Sequence, residues 1–150
     1  MYDIKTVLLT TDFSDTSTRA VAPAVALAQR FGARLVVTFV EEDRLPPLVV
    51  EYMAVGVEEV LSQQVDRARA RLEEFATAHL SGLEEVELVI GVGTPHVEIV
   101  RLAEERKVDL IVMATHGRGF ISHAILGSTA ERVLRRSPCP VLVARDASED

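Results

Sequence analysis

The sequence has almost no cysteine and no apolar run long enough to cross a membrane. Cys139 is the one cysteine among the 150 residues, so no internal disulfide can form, and this favours a reducing compartment. No apolar run approaches the roughly 20 residues of a membrane-spanning helix, and no basic N-terminal segment precedes an apolar core. We therefore expect a cytoplasmic protein without membrane association.

An excess of positive charge is also missing. The formal net charge is −7, whereas proteins that bind the nucleic-acid backbone usually carry a concentrated basic surface. We therefore expect neither DNA nor RNA as a partner. Because 48% of the residues are hydrophobic and 26% are charged, the chain is globular rather than disordered. Its length predicts a single domain over residues 1–150, with residues 146–150 as a frayed acidic tail.

Strand and helix patterns alternate along the chain. Apolar, β-branched segments predict strands at residues 6–10, 34–40, 86–90, 110–114 and 141–144. A helical pattern separates each strand from the next, which is typical of parallel pairing with right-handed crossovers. We expect a three-layer α/β sandwich with a doubly wound five-stranded parallel sheet of order 3-2-1-4-5. That order places a ligand crevice between strands one and four.

Turn and cap residues set the expected helix boundaries. Pro23 lies inside the first helical pattern, where it removes a backbone hydrogen bond, so we expect a bend over residues 19–23, and Gly32 supplies the stop. The second helix covers residues 57–80, and the third follows a connection that starts at Gly91, with Thr94 as its N-cap and Pro95 as its first helical residue. Ser128 and Glu131 have the spacing of a capping box at the fourth helix.

The segment Leu45-Pro46-Pro47-Leu48-Val49-Val50 fits neither a strand nor an ordinary loop. Its prolines exclude a central strand, yet it is too apolar for full exposure to solvent. We expect it to cover a partner or a ligand.

The stretch between strand four and the last helix has the composition of an anion site. It contains glycines at 117, 119 and 127, and Ser128 and Thr129 stand where the helix begins. The alternative is that these glycines only allow the chain to turn. The stretch has no lysine, so it is not a Walker loop, and backbone dipoles would hold a phosphate. Arg118 either shields phosphate charge or is solvated.

Three further side chains bear on metal binding. His116 and His123 are seven residues apart and have no third ligand nearby, so we predict no zinc site. Asp12 follows strand one and is the carboxylate best placed to hold Mg²⁺ through water. The competing interpretations are that Asp12 orders the crevice or caps a helix. Any metal is expected to arrive with a nucleotide.

Taken together, these motifs resemble those of the universal stress protein family. The resemblance is carried by Thr11-Asp12-Phe13-Ser14, by Gly117 followed at family spacing by Gly127-Ser128-Thr129, and by Pro140-Val141-Leu142-Val143. Nucleotide-binding members of that family carry the pattern Gly-x2-Gly-x9-Gly-Ser/Thr. The resemblance implies an adenine nucleotide alpha hydrolase-like fold and a site for ATP or AMP with accompanying Mg²⁺. It also implies a homodimer formed through the strand Val141 to Ala144.

Site residues follow from the same resemblance. It places adenosine at Thr11 and Asp12, adenine at the backbone of Val40, and phosphates at a set of loop residues. That set comprises Gly117, Gly127, Ser128 and Thr129, and we also expect Ala114, His116 and Arg118 among the nucleotide-binding residues. Ala114 departs from the pattern, which has glycine there. Its methyl group either is absorbed by a small shift or overpacks at about 1–3 kcal/mol, in which case Ala114→Gly would tighten ATP binding.

Three functions are compatible with the sequence. The first is a dimeric, adenine-nucleotide-binding switch of the stress response. The second is a dimerising interaction module that needs no nucleotide, which is favoured by Ala114 and by the apolar segment 45–50. The third is an enzyme, but no base and nucleophile stand out, so we expect slow ATP hydrolysis at most and name no catalytic residue. The sequence identifies no signalling partner.

Overall fold

Five parallel strands form the sheet of this protein. The computed structural model describes residues 2–44, 56–115 and 126–145. The strands are β1 (Thr6–Thr10), β2 (Arg34–Glu41), β3 (Val86–Val92), β4 (Leu110–Ala114) and β5 (Val141–Ala144). They lie in the order β3-β2-β1-β4-β5, and all the neighbouring pairs are parallel. The predicted doubly wound order is confirmed.

Helices connect the strands and cover both faces of the sheet. They are α1 (Asp15–Thr18), α2 (Val21–Phe31), α3 (Val57–His79), α4 (Pro95–Glu105) and α5 (Ser128–Arg136). The bend expected near Pro23 is confirmed, because the helical chain is interrupted between Thr18 and Val21. Pro23 therefore lies in the first turn of α2, where its missing N–H costs no helical hydrogen bond. Gly32 ends α2 in the left-handed conformation, with φ of 60°.

Each face of the sheet has its own apolar core. One core joins α2 and α3 to the sheet through residues such as Ala24, Leu72 and Val112. The other joins α4 and α5 to it through residues such as Ile99 and Val133. Because side chains alternate along a strand, the central strands bury both of their faces, which explains their continuously apolar sequence. The sheet and the helices on its two faces form the three layers expected from the sequence.

The boundary predicted after β3 was wrong. Residues 91 and 92 were expected in a loop, but β3 continues through them, and Val92 pairs with Glu41 of β2. Glycine suits this position because a Cβ atom would lie 3.2 Å from Val40 Cγ2 and 3.4 Å from Glu98 Cβ, so these neighbours would have to shift slightly to admit it. The glycine reflects close packing of a strand against α4. Main-chain pairing with β2 thus outweighs the turn preference of the glycine.

The capping box predicted at α5 was also wrong. Gly127 occupies the N-cap position and supplies no side-chain cap, so Ser128 is already the first helical residue. The Glu131 carboxylate instead pairs with Arg135, one turn along the helix, at 2.8 Å. Among the described residues, the first backbone N–H groups of α5 therefore receive no side-chain cap from the N-cap position.

Some sequence predictions lie outside the described residues. These concern the apolar segment 45–50, the loop positions His116, Gly117, Arg118 and His123, and the tail 146–150. Among the helices of residues 2–44, 56–115 and 126–145, none combines the length and apolar character of a membrane span.

Candidate functional site

A cavity of about 720 Å³ opens at the carboxyl ends of the strands. It lies where β1 and β4 are neighbours, which is the point at which the winding of the sheet reverses and where such sheets bind ligands. Its lining includes the predicted residues Thr11, Asp12, Val40, Ala114, Gly127, Ser128 and Thr129. The other predicted site residues, His116, Gly117 and Arg118, lie outside the described part of the chain.

The turn after β1 is organised by the hydroxyl group of Thr11. Thr11 is buried, and its Oγ1 lies 3.0 Å from Ser17 Oγ and accepts a 3.0 Å hydrogen bond from the Phe13 N–H. The Thr11 N–H extends the sheet by one bond, donating to the Thr38 carbonyl oxygen at 3.0 Å. These bonds hold the turn rigidly at the cavity wall.

The carboxylate of Asp12 has a fixed orientation. Its Oδ1 accepts hydrogen bonds from the Ser14 N–H at 2.9 Å and from the Ser14 hydroxyl at 2.5 Å. Ser14 Oγ in turn accepts from the Ser17 N–H at 3.1 Å and caps α1. Asp12 is therefore not the helix cap itself. It lines the cavity with a carboxylate that the following turn holds in place.

Val40 directs its backbone groups toward the cavity. In a parallel strand, the N–H and C=O of one residue face one neighbouring strand, and those of the next residue face the other. Thr38 bonds to the Thr11 N–H on the β1 side, and Glu41 bonds to the Gly93 N–H at 2.9 Å on the β3 side. Val40 therefore faces the β1 side, at a level where β1 has already ended. Within residues 2–44, 56–115 and 126–145, no backbone group bonds to Val40 on that side, so its N–H and C=O face the cavity as one donor and one acceptor.

The N-terminus of α5 also lines the cavity. Gly127, Ser128, Thr129 and Ala130 all line the cavity. The first N–H groups of a helix have no acceptor within the helix, and together they act as a partial positive charge. Since α5 has no side-chain cap, the chemistry of this wall suits an anion.

Several polar lining residues were missed by sequence reasoning: Glu41, Glu42, Arg44, Gln64 and Arg71. Arg44 forms an ion pair with Glu42 at 2.6 Å. Gln64 and Arg71 are seven residues apart on α3, a spacing of two turns that puts them on one face of the helix. That spacing was available in the sequence, but nothing in it showed that this face borders the cavity.

The described residues offer limited means of holding a metal. No group of three histidine, cysteine or acidic side chains among them has metal-binding geometry. The oriented carboxylate of Asp12, on the other hand, has the chemistry that Mg²⁺ prefers, since Mg²⁺ usually binds through one or two carboxylates, waters and phosphates. The residues fit an ion that arrives with a phosphorylated ligand.

The fold and the cavity define a doubly wound α/β sandwich with an open crevice at its switch point. The chain belongs to the Universal stress protein family, whose sequence model matches residues 3–145. A universal stress protein of Thermus aquaticus is 38% identical over 94% of this chain and 98% of its own length. One from Methanocaldococcus jannaschii is 32% identical over 97% of this chain and 85% of its own length.

Solved structures agree with this assignment. The hypothetical protein MJ0577, which is a universal stress protein of Methanocaldococcus jannaschii, superposes with a TM-score of 0.82 at 30% identity, over 99% of both chains. A universal stress protein crystallised in complex with cAMP superposes with a TM-score of 0.62 at 30% identity, over 95% of this chain and 98% of its own.

Proposed function

We propose that this protein binds ATP or AMP, with Mg²⁺ accompanying the nucleotide, and acts as a cytoplasmic stress-response regulator. The observation that carries the proposal is the cavity at the switch point. An oriented carboxylate, a strand end with open backbone groups and an uncapped helix N-terminus all line it. Each of these features suits a different part of one nucleotide.

The size of the cavity is in the range for such a ligand. Its volume of about 720 Å³ falls within the roughly 300–1,000 Å³ of small-molecule sites. The backbone N–H and C=O of Val40 can pair with an acceptor and a donor on the edge of adenine. Phosphates would lie at residues 127–129, where backbone N–H groups and the helix dipole favour negative charge.

Asp12 lies at the turn after β1 and lines the same cavity as the start of α5. Bound Mg²⁺ would supply charge neutralisation for the phosphates, and Asp12 would hold its water ligands. The solved relative with cAMP bound supports an adenine nucleotide as the ligand class. That relative is 30% identical to this chain, and so is MJ0577.

Equilibrium dialysis with ATP and AMP, each with and without Mg²⁺, tests the proposal. Asp12→Asn is the matched variant, because its amide oxygen can still accept from the Ser14 N–H while the charge is lost. We expect it to weaken Mg·ATP binding about tenfold, equivalent to about 1.4 kcal/mol, and to change metal-free AMP binding less than threefold. Absence of binding by the wild-type protein at millimolar nucleotide would refute the proposal.

A nucleotide-independent dimerising module is the second candidate. The observation that favours it is that β5 is an edge strand, with Val141, Leu142 and Val143 only partly buried within one chain. Exposed apolar edges need cover, and pairing with a second copy supplies it. If this candidate is correct, ATP will leave the thermal stability unchanged. A nucleotide at 100 times its Kd would instead stabilise the protein by about 2.7 kcal/mol.

A dimeric switch would combine nucleotide binding with dimerisation through β5. We propose a homodimer through Val141–Ala144 whose nucleotide state is read by a partner that the structure does not identify. Val143→Lys places a charge on the dimer strand and is expected to yield monomers in light scattering, while Lys5→Glu changes charge away from it. Any ATP turnover should be far below about 1 s⁻¹, the low end of the usual enzyme range.

A further inference from the structure

Arg71 brings a cation to the cavity from a helix that no nucleotide motif includes. It belongs to α3 and lines the cavity. Its guanidinium carbon lies 4.3 Å from the centroid of the Phe13 ring, which is within the range of a cation–π contact. The ring therefore holds this long, exposed side chain at the cavity instead of leaving it to extend into solvent.

Phe13 is itself held in an unusual conformation. Its φ is 66°, a left-handed value that a bulky residue adopts only when its surroundings enforce it. The Phe13 ring lies 4.6 Å from the Phe39 ring and 6.2 Å from the Phe75 ring, centroid to centroid. Its backbone N–H is bonded to Thr11. The Phe13 ring, which is the platform beneath Arg71, therefore belongs to the turn after β1.

The position of this platform assigns Arg71 to one end of the cavity. Phe13 packs on Phe39, which directly precedes Val40, so Arg71 stands beside the strand end proposed to hold the adenine. Helix α3 packs in the core on one face of the sheet, and α5 packs in the core on the other. Arg71 and the phosphate wall at α5 therefore border the cavity from helices on opposite faces of the sheet.

We propose that Arg71 is a binding residue for the adenosine portion of the nucleotide and not for its phosphates. This inference rests on the proposed nucleotide binding. A guanidinium is planar, stacks on ring systems and presents several donors in a rigid fork, so it can contact both the face of a purine and its acceptor atoms. Because Phe13 already orders the side chain, little rotamer freedom is lost when the ligand binds.

The test compares adenosine with ATP in wild-type protein and in three variants. Arg71→Met removes the guanidinium but keeps a flexible side chain that can still pack on Phe13. Arg71→Lys keeps the charge and loses the planar fork. Arg67→Met, one turn earlier at an exposed position of α3, is the matched control. Thermal unfolding without nucleotide shows whether each variant is folded.

We expect Arg71→Met to weaken adenosine and ATP by the same factor, about tenfold. Arg71→Lys should still bind both ligands more weakly than the wild-type protein does. Arg67→Met should bind both with wild-type affinity. Wild-type affinity in Arg71→Met, or a loss confined to ATP, would overturn the inference and leave the proposed function standing. Failure of the wild-type protein to bind either ligand would overturn both.

Discussion

The backbone N–H of Gly127 donates a 2.7 Å hydrogen bond to the carbonyl oxygen of Thr115. The chain that leaves β4 therefore returns to the end of the same strand before α5 begins. The Thr115 N–H in turn donates to the Ala144 carbonyl oxygen at 3.2 Å, which links this corner to β5. Helix α5 thus starts beside the cavity, and at the edge strand proposed for dimerisation.

Ser128→Asp should affect folding and binding in opposite directions. A carboxylate in the first turn of α5 interacts favourably with the helix dipole, so we expect a gain of about 0.3–1 kcal/mol in the free energy of unfolding. The same charge would repel phosphate and weaken ATP binding at least tenfold, about 1.4 kcal/mol. Urea unfolding and dialysis measure the two effects. The neutral control Ser128→Asn should bind ATP with an affinity within about threefold of wild type. Unchanged ATP binding by Ser128→Asp would show that the phosphates do not lie at α5.

Ala114→Gly should destabilise the protein without tightening ATP binding. Ala114 is buried in the core that contains α2 and α3, on the face of the sheet opposite α5. Its methyl group is therefore packed against apolar side chains on that face, while the residue also lines the cavity. We expect a loss of about 1–2 kcal/mol from backbone entropy and lost burial, with a Kd for ATP within about threefold. A tenfold tightening would show that the methyl group does obstruct the ligand.

Gly91→Ala should disturb the adenine end of the cavity. The added Cβ would lie 3.2 Å from Val40 Cγ2, closer than ordinary contact, so Val40 or α4 must shift. We expect destabilisation of about 1–3 kcal/mol and weaker binding of ATP and AMP alike. Gly82→Ala is the control, since its Cβ would meet only Gln29 Nε2, at 3.9 Å. Equal affinities in the two variants would show that Val40 does not contact the base.

The stability of the protein should fall as the pH drops below about 6.5, the ordinary histidine pKa. His96 is buried at the start of α4, and this burial, together with the positive charges of Arg132 and Arg136, lowers its pKa. The unfolded chain then binds a proton more readily, so the stabilisation is fully present above about pH 6.5 and is lost as the pH falls through the lowered pKa. His96→Gln should flatten a urea-unfolding series between pH 7.5 and 5.

A histidine outside the contact between α4 and α5 provides the control for this series. His79 stacks on Phe75, with ring centroids 4.8 Å apart, and is exposed at the end of α3. His79→Gln should leave the pH dependence attributed to His96 in place. If His79→Gln flattens the curve and His96→Gln does not, the assignment to His96 is wrong.

Much of the fold was predictable because local patterns carry it. The apolar segments of β1 and β4 are buried on both faces, so they read as strands without any tertiary information. Right-handed crossovers then leave few possible strand orders. The candidate site residues Thr11, Asp12 and Val40 followed once those strand ends and the family resemblance were combined, and the structure places all three at one cavity.

The wrong predictions arose where the deciding contact is distant in sequence. Gly91 looked like a loop residue because glycine favours turns, yet pairing with β2 keeps it in a strand. Ser128 looked like a cap because its spacing to Glu131 is suitable, but the helix begins one residue earlier than that cap requires. Local propensities compete with such long-range contacts, and here the contacts prevail.

By itself, the sequence determined the alternation of strands and helices and the presence of polar residues at the strand ends, and it left few possible strand orders. These depend on periodicity and on general rules of chain connection, which act over short distances along the chain. Only the tertiary structure decided that Arg71 lies over Phe13 beside the cavity and that Ala114 packs on the face opposite α5. Both depend on which side of the sheet each helix covers, and that is set by packing between residues far apart in the chain.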